Sequence, residues 1–326
     1  MTPAPVALTC GEPAGVGPEL AVRAWQELGP DLPFFLIGDP GHLPKGAPVV
    51  PIREPSHTAQ AAATGLPVLP HDFPAPAHPG QPTPQNAQAV LDVIARGVGL
   101  VQAGAAAALC TAPVHKKALK DGAGFAYPGH TEYLAALCGI RRVVMLLAGP
   151  HLRVVPVTIH MPLTEAARAL TPELLEHTLR ITRAGLIRDF GLPAPRIAVA
   201  GLNPHAGEGG VMGSEEATII APVIARLRDG EGWQITGPHS ADTLFHAAAR
   251  ARYDVAVCMY HDQALIPVKT LDFDHGVNVT LGLPIIRTSP DHGTAFDIAG
   301  TGRANPTSLI EALRLAARMA AARAAA

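Results

Sequence analysis

Several signals that often reveal what a protein does are missing from this sequence of 326 residues. Charged residues make up only 16% of the chain, its formal net charge at pH 7 is −2, and it has no dense lysine and arginine run, so a nucleic-acid-binding surface is not supported. No apolar run approaches the about 20 residues of a membrane-spanning helix. The glycine-rich Rossmann fingerprint and the P-loop are both absent. A nucleotide, if one binds, must be held by a different loop.

Cysteine is also scarce. The four cysteines, Cys10, Cys110, Cys138 and Cys258, form no C-x-x-C pair. Three of them lie in or beside apolar runs, a pattern typical of buried free thiols in a reducing compartment. The first residues have neither the basic start nor the long apolar stretch of a signal peptide, so we expect a cytoplasmic protein.

The sequence does contain many apolar residues, 48% in total, in short runs that alternate with longer helical patterns. This alternation predicts an α/β fold, and a chain of this length often forms two domains. Two apolar segments, Val143–Ala148 and Leu152–Ile159, flank a Gly-Pro-His turn and predict a hairpin, so the sheets should be mixed. The proline- and glycine-rich stretch at 71–85 is expected to be a peripheral surface connection. Further strands are predicted at Val6–Thr9, Phe34–Gly38, Ala105–Cys110, Arg196–Leu202 and Asp254–Tyr260, and helices at Ala87–Ala103, Thr243–Arg250 and Pro306–Ala322.

Three of the predicted strands are followed by a histidine where the strand stops. His160 follows Ile159, His205 follows shortly after Leu202, and His261 follows Tyr260. Ligands of open α/β sheets bind outside the carboxyl ends of the strands, so the three imidazoles are candidate ligands of one divalent metal ion. Any one of them alone is equally compatible with an ordinary hydrogen-bonded histidine.

Two regions are candidates for binding an anion. His130 and Thr131 precede an apolar helix, and backbone amides at a helix start favour a phosphate or carboxylate, although Thr131 is equally suited to cap the helix. Lys269, Asn278 and Arg287 are spaced nine residues apart on what we expect to be a strand-and-turn stretch, among apolar neighbours. A cation in such surroundings is costly to bury unless it meets an anion, and the alternative is that each side chain reaches solvent.

A glycine-containing loop, residues 292–306, is the candidate nucleotide site. Its glycines permit close approach of the backbone to a ligand. The Asp297 carboxylate is suited to ribose hydroxyls and would repel a 2′-phosphate, which favours NAD over NADP. The candidate cofactor-binding residues are His292, Gly293, Asp297 and Asn305. The alternative is an ordinary loop between two elements.

The loop at 292–306 resembles the adenosine-binding loop of the isocitrate/isopropylmalate dehydrogenase superfamily. Nearly the whole chain resembles one family within it, the 4-hydroxythreonine-4-phosphate dehydrogenases. The segments that carry this resemblance occur in the same order: Gly11–Glu19, Thr111–Lys116, Gly129–Glu132, Asn203–Gly210, Gly237–Thr243, Tyr260–Ala264 and Gly276–Thr280.

The resemblance implies a two-domain fold with mixed sheets flanked by helices and an active site in the interdomain cleft. The expected domains are residues 1–127 with 287–326, and residues 128–286. It also implies a homodimer whose metal site draws on both subunits. A divalent metal (zinc, cobalt, manganese or magnesium) would be held by His160, His205 and His261. Substrate would be bound by His130, Thr131, Lys269, Asn278 and Arg287.

The implied reaction is NAD-dependent oxidation and decarboxylation of 4-phosphohydroxy-L-threonine to 3-amino-2-oxopropyl phosphate, in pyridoxal 5′-phosphate biosynthesis. Asp242 and Lys269 are the candidate proton acceptors, although Asp242 is equally suited to cap the helix predicted at Thr243–Arg250. Related dehydrogenases of 4-phospho-D-threonate or erythronate share these motifs, and the scaffold also serves dihydrodiol oxidation. A metal-dependent phosphate-ester hydrolase is the alternative from another class, but it would have no need of the loop at 292–306.

Overall fold

The short apolar runs form strands in the computed structural model, which describes residues 4–325. The strands predicted from the sequence are present. Val6–Thr9 and Phe34–Gly38 have the predicted bounds, and the others differ by up to a few residues at their ends, because an apolar run does not mark where the hydrogen-bonded ladder ends. The described part of the chain contains twelve strands: β1 (Val6–Thr9), β2 (Phe34–Gly38), β3 (Val49–Pro51), β4 (Leu66–Pro70), β5 (Ala108–Thr111), β6 (Val144–Ala148), β7 (Arg153–Pro156), β8 (Ile197–Ala200), β9 (Ile235–His239), β10 (Val255–Cys258), β11 (Val277–Leu281) and β12 (Arg287–Pro290).

The helices follow the predicted helical patterns closely where the pattern is long. Thr171 caps one of them, its hydroxyl accepting a hydrogen bond from the Leu174 amide at 3.2 Å. The α-helices within residues 4–325 are α1 (Gly17–Leu28), α2 (Thr58–Ala62), α3 (Ala87–Gln102), α4 (Lys116–Ala123), α5 (His130–Leu137), α6 (Leu163–Ala169), α7 (Pro172–Phe190), α8 (Ala221–Ala225), α9 (Ala247–Arg250), α10 (His261–Asp272) and α11 (Thr307–Ala325). None of the described helices is long and apolar enough to cross a bilayer.

Two compact units divide the described chain. Unit 1 comprises the described residues up to Val143 together with Leu283–Ala325, and unit 2 comprises Val144–Gly282. The domain boundaries expected after residues 127 and 286 stay a prediction.

Unit 1 contains a parallel sheet with strand order β3-β4-β2-β1-β5-β12. Two inner strands, β1 and β5, are buried along their whole length. Strands of parallel sheets are covered on both faces, so their sequences are continuous apolar runs. This is why the sequence predicts these two strands. Helices α3 and α11 pack on this sheet. The first helix, α1, packs on α11.

Unit 2 contains a mixed sheet with strand order β11-β6-β7-β10-β8-β9. β6 pairs antiparallel with β7 and with β11, which confirms the predicted hairpin, and the remaining neighbours are parallel. Leu147, Val154 and Ala256 from this sheet form a buried core with Leu265 and Val268 of α10. The predicted fold class, α/β with mixed sheets flanked by helices, is confirmed.

Candidate active site

The three candidate metal ligands follow three neighbouring parallel strands of unit 2. β10 lies between β7 and β8 and is parallel to both. His160 follows the end of β7, His261 follows the end of β10, and His205 follows the end of β8. The predicted strand-end position of each histidine is confirmed, and it places all three at the carboxyl edge of one sheet.

His160 and His261 come close to each other. Their ring centroids are 5.8 Å apart, with the ring planes inclined by 43°. Both line an open pocket of about 370 Å³, together with Tyr260, Asp262 and Leu163. The Nδ1 atom of His261 lies 2.6 Å from the Asp262 carboxylate. A carboxylate in this position fixes the orientation of an imidazole and raises the basicity of its other nitrogen, as it does around metal-binding histidines.

His205 lies in a loop of unusual backbone geometry. Five consecutive residues from His205 to Gly209 have positive φ, at 52°, 52°, 78°, 42° and 67°. Only glycine adopts this left-handed conformation readily, so His205, Ala206 and Glu208 are each strained by about 1–2 kcal/mol. The loop is held at its start, where the Asn203 amide donates to the buried Glu216 carboxylate at 2.7 Å. Strain that the surroundings enforce in this way is concentrated at functional sites.

This strain predicts the effect of a glycine at the middle of the loop. We expect Ala206→Gly to raise the free energy of unfolding by up to about 1 kcal/mol, because relief of the left-handed strain exceeds the entropy cost of glycine. Ala217→Gly, on an exposed helical turn nearby, is the matched control and should lower it by about 1 kcal/mol. Urea denaturation measures both, and a destabilising Ala206→Gly would show that the left-handed turn is not strained.

The fit of these histidines to a metal ion is partial. The donor chemistry is right, and two of the three rings approach each other. Within residues 4–325, however, no group of three or more His, Cys, Asp or Glu side chains is arranged to hold an ion. Among the described residues, the three histidines therefore form an incomplete ligand set.

Asp242 lies beside this group, in a 3-10 turn at Ala241–Thr243. The helix predicted at Thr243–Arg250 is wrong in extent, because only Ala247–Arg250 is helical. Asp242 therefore does not cap it. The Ser240 hydroxyl donates to the Asp242 carboxylate at 2.6 Å, and this bond, with the nearby His205, lowers the pKa of the exposed Asp242. The carboxylate is ionised at neutral pH and is a weak base.

The expected strand-and-turn location of the three polar residues is wrong for Lys269. Lys269 lies in α10, the helix that begins at His261, and only Asn278 and Arg287 lie on strands. Lys269 and Asn278 belong to unit 2, whereas Arg287 belongs to unit 1. The Oδ1 atom of Asn278 is buried and has no hydrogen-bond partner. Such an atom is costly to leave unsatisfied and is suited to a ligand donor.

Unit 1 contains a buried guanidinium, that of Arg287, close to the buried imidazole of His130. Arg287 is only 4% exposed, and burial lowers its pKa to about 10, so the guanidinium still carries its charge at neutral pH. His130 is the first residue of α5, and burial, with the charge of Arg287, holds its pKa well below its usual range. Its Nε2 atom is enclosed and has no hydrogen-bond partner among residues 4–325. Thr131 follows at the second helical position, and the helix cap is Gly129, so Thr131 does not cap α5.

The candidate nucleotide loop also belongs to unit 1. Asp297 is exposed, as a ribose-binding carboxylate must be. The His292 Nδ1 atom lies 2.9 Å from the Gly293 carbonyl oxygen, while its Nε2 atom is buried without a partner. The side-chain oxygen of Asn305 accepts hydrogen bonds from the amide and hydroxyl of Thr307, at 3.1 and 2.7 Å, where α11 begins. Of the four predicted residues, Asn305 thus has a clear structural role without a cofactor.

Segments to which the sequence analysis assigned no binding residue contact the loop at 292–306. The Val16 amide donates to the Thr294 carbonyl at 3.0 Å, and His115 packs edge-on against Phe296 at 5.0 Å. The stretch at 71–85 lies at the surface as expected, with Ala75 as its one buried residue, but it also contacts this region. The Gly80 amide donates to the Ala14 carbonyl at 2.8 Å, and a Cβ at Gly80 would lie 3.0 Å from the Phe296 oxygen. The glycines of these segments were the only available signal, and their partners are distant in sequence.

Comparison with known proteins assigns a family to this arrangement. Residues 32–316 match the family model described as pyridoxal phosphate biosynthetic protein PdxA. A relative named 4-hydroxythreonine-4-phosphate dehydrogenase from Ruegeria sp. (strain TM1040) is 63% identical over 322 residues, which covers 98% of both chains. One of the same name from Paracoccus denitrificans (strain Pd 1222) is 62% identical over 324 residues, again covering 98% of both.

Solved structures give the same grouping. The crystal structure of 4-hydroxythreonine-4-phosphate dehydrogenase from Klebsiella pneumoniae has a TM-score of 0.88 and 39% identity, covering 98% of both chains. A terephthalate 1,2-cis-dihydrodiol dehydrogenase from Burkholderia xenovorans LB400 has a TM-score of 0.67 and 30% identity, covering 96% of this chain and 97% of the other. Both phosphorylated and unphosphorylated alcohols are thus named among the substrates of similar proteins.

Proposed function

This chain belongs to the family described as pyridoxal phosphate biosynthetic protein PdxA, and on that basis we propose that it oxidises and decarboxylates 4-phosphohydroxy-L-threonine to 3-amino-2-oxopropyl phosphate with NAD. It is an oxidoreductase by family. The proposed reaction supplies an intermediate for pyridoxal 5′-phosphate.

The observation that supports a phosphorylated substrate most directly is the anion site of unit 1. The buried Arg287 guanidinium lies near the His130 imidazole, whose Nε2 atom has no partner. A neutral imidazole and a guanidinium both donate to phosphate or carboxylate oxygens. The pair favours an anionic substrate, and the names of relatives that are 62–63% identical favour the phosphorylated alcohol over the dihydrodiol. Thr131, Lys269 and Asn278 complete the proposed substrate-binding set.

His160, His205 and His261 are the proposed ligands of a divalent metal, with the set completed across two subunits. Imidazoles suit zinc better than magnesium or manganese, which prefer oxygen ligands. A bound ion would act as a Lewis acid on the substrate alcohol and on the developing negative charge. Asp262 holds the His261 ring in place for this role, through the 2.6 Å contact at Nδ1.

A proton acceptor is needed for the alcohol. Asp242 and Lys269 both belong to unit 2. The lowered pKa of Asp242 keeps its carboxylate ionised and able to accept a proton, so we assign proton acceptance to Asp242 and substrate binding to Lys269. A larger fall in kcat for Lys269→Met than for Asp242→Asn would reverse this assignment.

The exposed carboxylate of Asp297 supports NAD over NADP as the cofactor. In the proposed mode, its oxygens accept hydrogen bonds from the adenosine ribose and repel a 2′-phosphate. His292 and Gly293 would line the same site. Asn305 would contribute by fixing the end of the loop to α11.

A homodimer is supported by exposed apolar side chains on the segments that carry the three histidines. Such side chains mark protein interfaces when they occur together. They include Leu163 at 62%, Val211 at 82%, Ile266 at 64% and Phe273 at 75% exposure. Light scattering should give twice the chain mass; a monomer with full activity would contradict a shared metal site.

The four cysteines are free, which is typical of cytoplasmic proteins.

The experiment that tests the function is NADH formation by the purified protein. We expect turnover of 4-phosphohydroxy-L-threonine with NAD, little with NADP, loss of activity with a chelator, and recovery when a divalent ion is restored. Turnover of 4-phospho-D-threonate alone would place the enzyme among the sibling dehydrogenases. Phosphate release without NADH would instead indicate the hydrolase.

A further inference from the structure

A buried threonine contacts the guanidinium of Arg287. Thr111 is the last residue of β5 and is fully buried. Its hydroxyl oxygen accepts hydrogen bonds from Nε of Arg287 at 3.1 Å and from Nη2 at 2.8 Å. The two residues are 176 positions apart in sequence.

The register of the sheet explains why they meet. β12 pairs parallel with β5, with Arg287 opposite Leu109. Side chains alternate between the two faces of a sheet, so Thr111, two residues beyond Leu109, lies on the same face as Arg287. The contact is thus built into the strand pairing and does not depend on a mobile loop.

The acceptor of these hydrogen bonds, the Thr111 hydroxyl, is an uncharged group. A hydroxyl oxygen fixes the guanidinium through its Nε edge but carries no charge. A carboxylate at the same place would form a bidentate ion pair and neutralise the guanidinium. Thr111 therefore fixes the orientation of the Arg287 guanidinium without forming an ion pair with it.

We propose that Thr111 is a positioning residue for substrate binding, which holds the Arg287 guanidinium in the orientation that meets the anionic group of the substrate. This inference rests on the proposed function, in which Arg287 binds the phosphorylated substrate. Thr111 acts through Arg287 and does not itself touch the reacting atoms.

The test uses Thr111→Val, which keeps the shape of the side chain and removes the acceptor. Loss of hydrogen bonds to a charged group should raise the KM for 4-phosphohydroxy-L-threonine by about 10–100-fold, with a much smaller change in kcat and in the KM for NAD. Thr111→Ser, which restores the hydroxyl, should return the KM to within about threefold of wild type.

The neighbouring strand offers a matched control. Thr9 lies directly opposite Thr111 in the pairing of β1 with β5, is equally buried, and its hydroxyl has no hydrogen-bond partner. Thr9→Val removes a buried hydroxyl at the same level of the sheet without touching Arg287. It should leave both KM values unchanged.

A double-mutant cycle separates positioning from general stability. In an Arg287→Ala background, Thr111→Val should cause no further rise in KM, because the residue it positions is gone. Equal KM values for Thr111→Val and Thr9→Val, or additive effects of Thr111→Val and Arg287→Ala, would overturn the proposal. Absence of turnover by the wild-type protein would instead refute the proposed function.

Discussion

Replacing His261 with alanine is expected to lower kcat/KM by about 10³-fold or more. In the proposed function, His261 is a ligand of an ion that supplies several kcal/mol of charge stabilisation, and each 1.36 kcal/mol or so is a factor of ten in rate. The geometry fixes the His261 imidazole, since its Nδ1 atom lies 2.6 Å from the Asp262 carboxylate. The metal content of the purified variant, measured by mass spectrometry, should fall with its activity.

Two further variants make this test specific. Asp262→Asn removes only the residue that orients His261, and should cost about 10–100-fold in activity or metal affinity. His275→Ala, in the exposed turn after α10, is the control and should keep wild-type activity and metal content. If His261→Ala retains the metal and turns over normally, the metal assignment is wrong.

The second large effect is expected for Arg287. In the proposed function Arg287 binds the anionic group of the substrate. Arg287→Ala would remove two charge-assisted hydrogen bonds to that group and should raise the KM for the phosphorylated substrate by about 10²–10³-fold. Arg287→Lys keeps the charge but loses the planar fork, so we expect a smaller rise of about tenfold. Isothermal titration with the substrate measures binding without turnover.

The control for Arg287 is another arginine of unit 1. Arg314 is a partly exposed side chain that pairs with Glu311 at 2.9 Å and with Glu27 at 3.2 Å. Exposed ion pairs contribute about 0–1 kcal/mol, so Arg314→Ala should leave substrate affinity unchanged. Wild-type affinity in Arg287→Ala would mean that the anion is bound elsewhere, and the role of His130 would have to be reconsidered with it.

The sequence by itself determined the fold class, most elements and the candidate ligands. Apolar runs such as Val6–Thr9 and Val255–Cys258 predict buried strands because a strand of an inner sheet contacts other residues on both faces. The histidines at strand ends were predicted correctly for the same reason: the strand signal is local, and the rule that places ligands at carboxyl ends needs only that signal. The roles of these residues in binding remain predictions.

The tertiary structure decided three matters that local pattern does not encode. Lys269 lies on a helix because Ala264, Leu265 and Val268 pack into the core of unit 2 at helical spacing, against strands distant in sequence. The left-handed turn at His205–Gly209 opposes the intrinsic preference of Ala206 and Glu208, and contacts such as that of Asn203 with Glu216 enforce it.

The contact between Thr111 and Arg287 is the third feature that only the tertiary structure determines. Each residue alone is compatible with many environments, since a threonine at a strand end and an arginine among apolar residues are common. Strand pairing brings them together across 176 positions. Composition and spacing along the chain identify which groups are available, whereas the register between distant strands determines which of them meet.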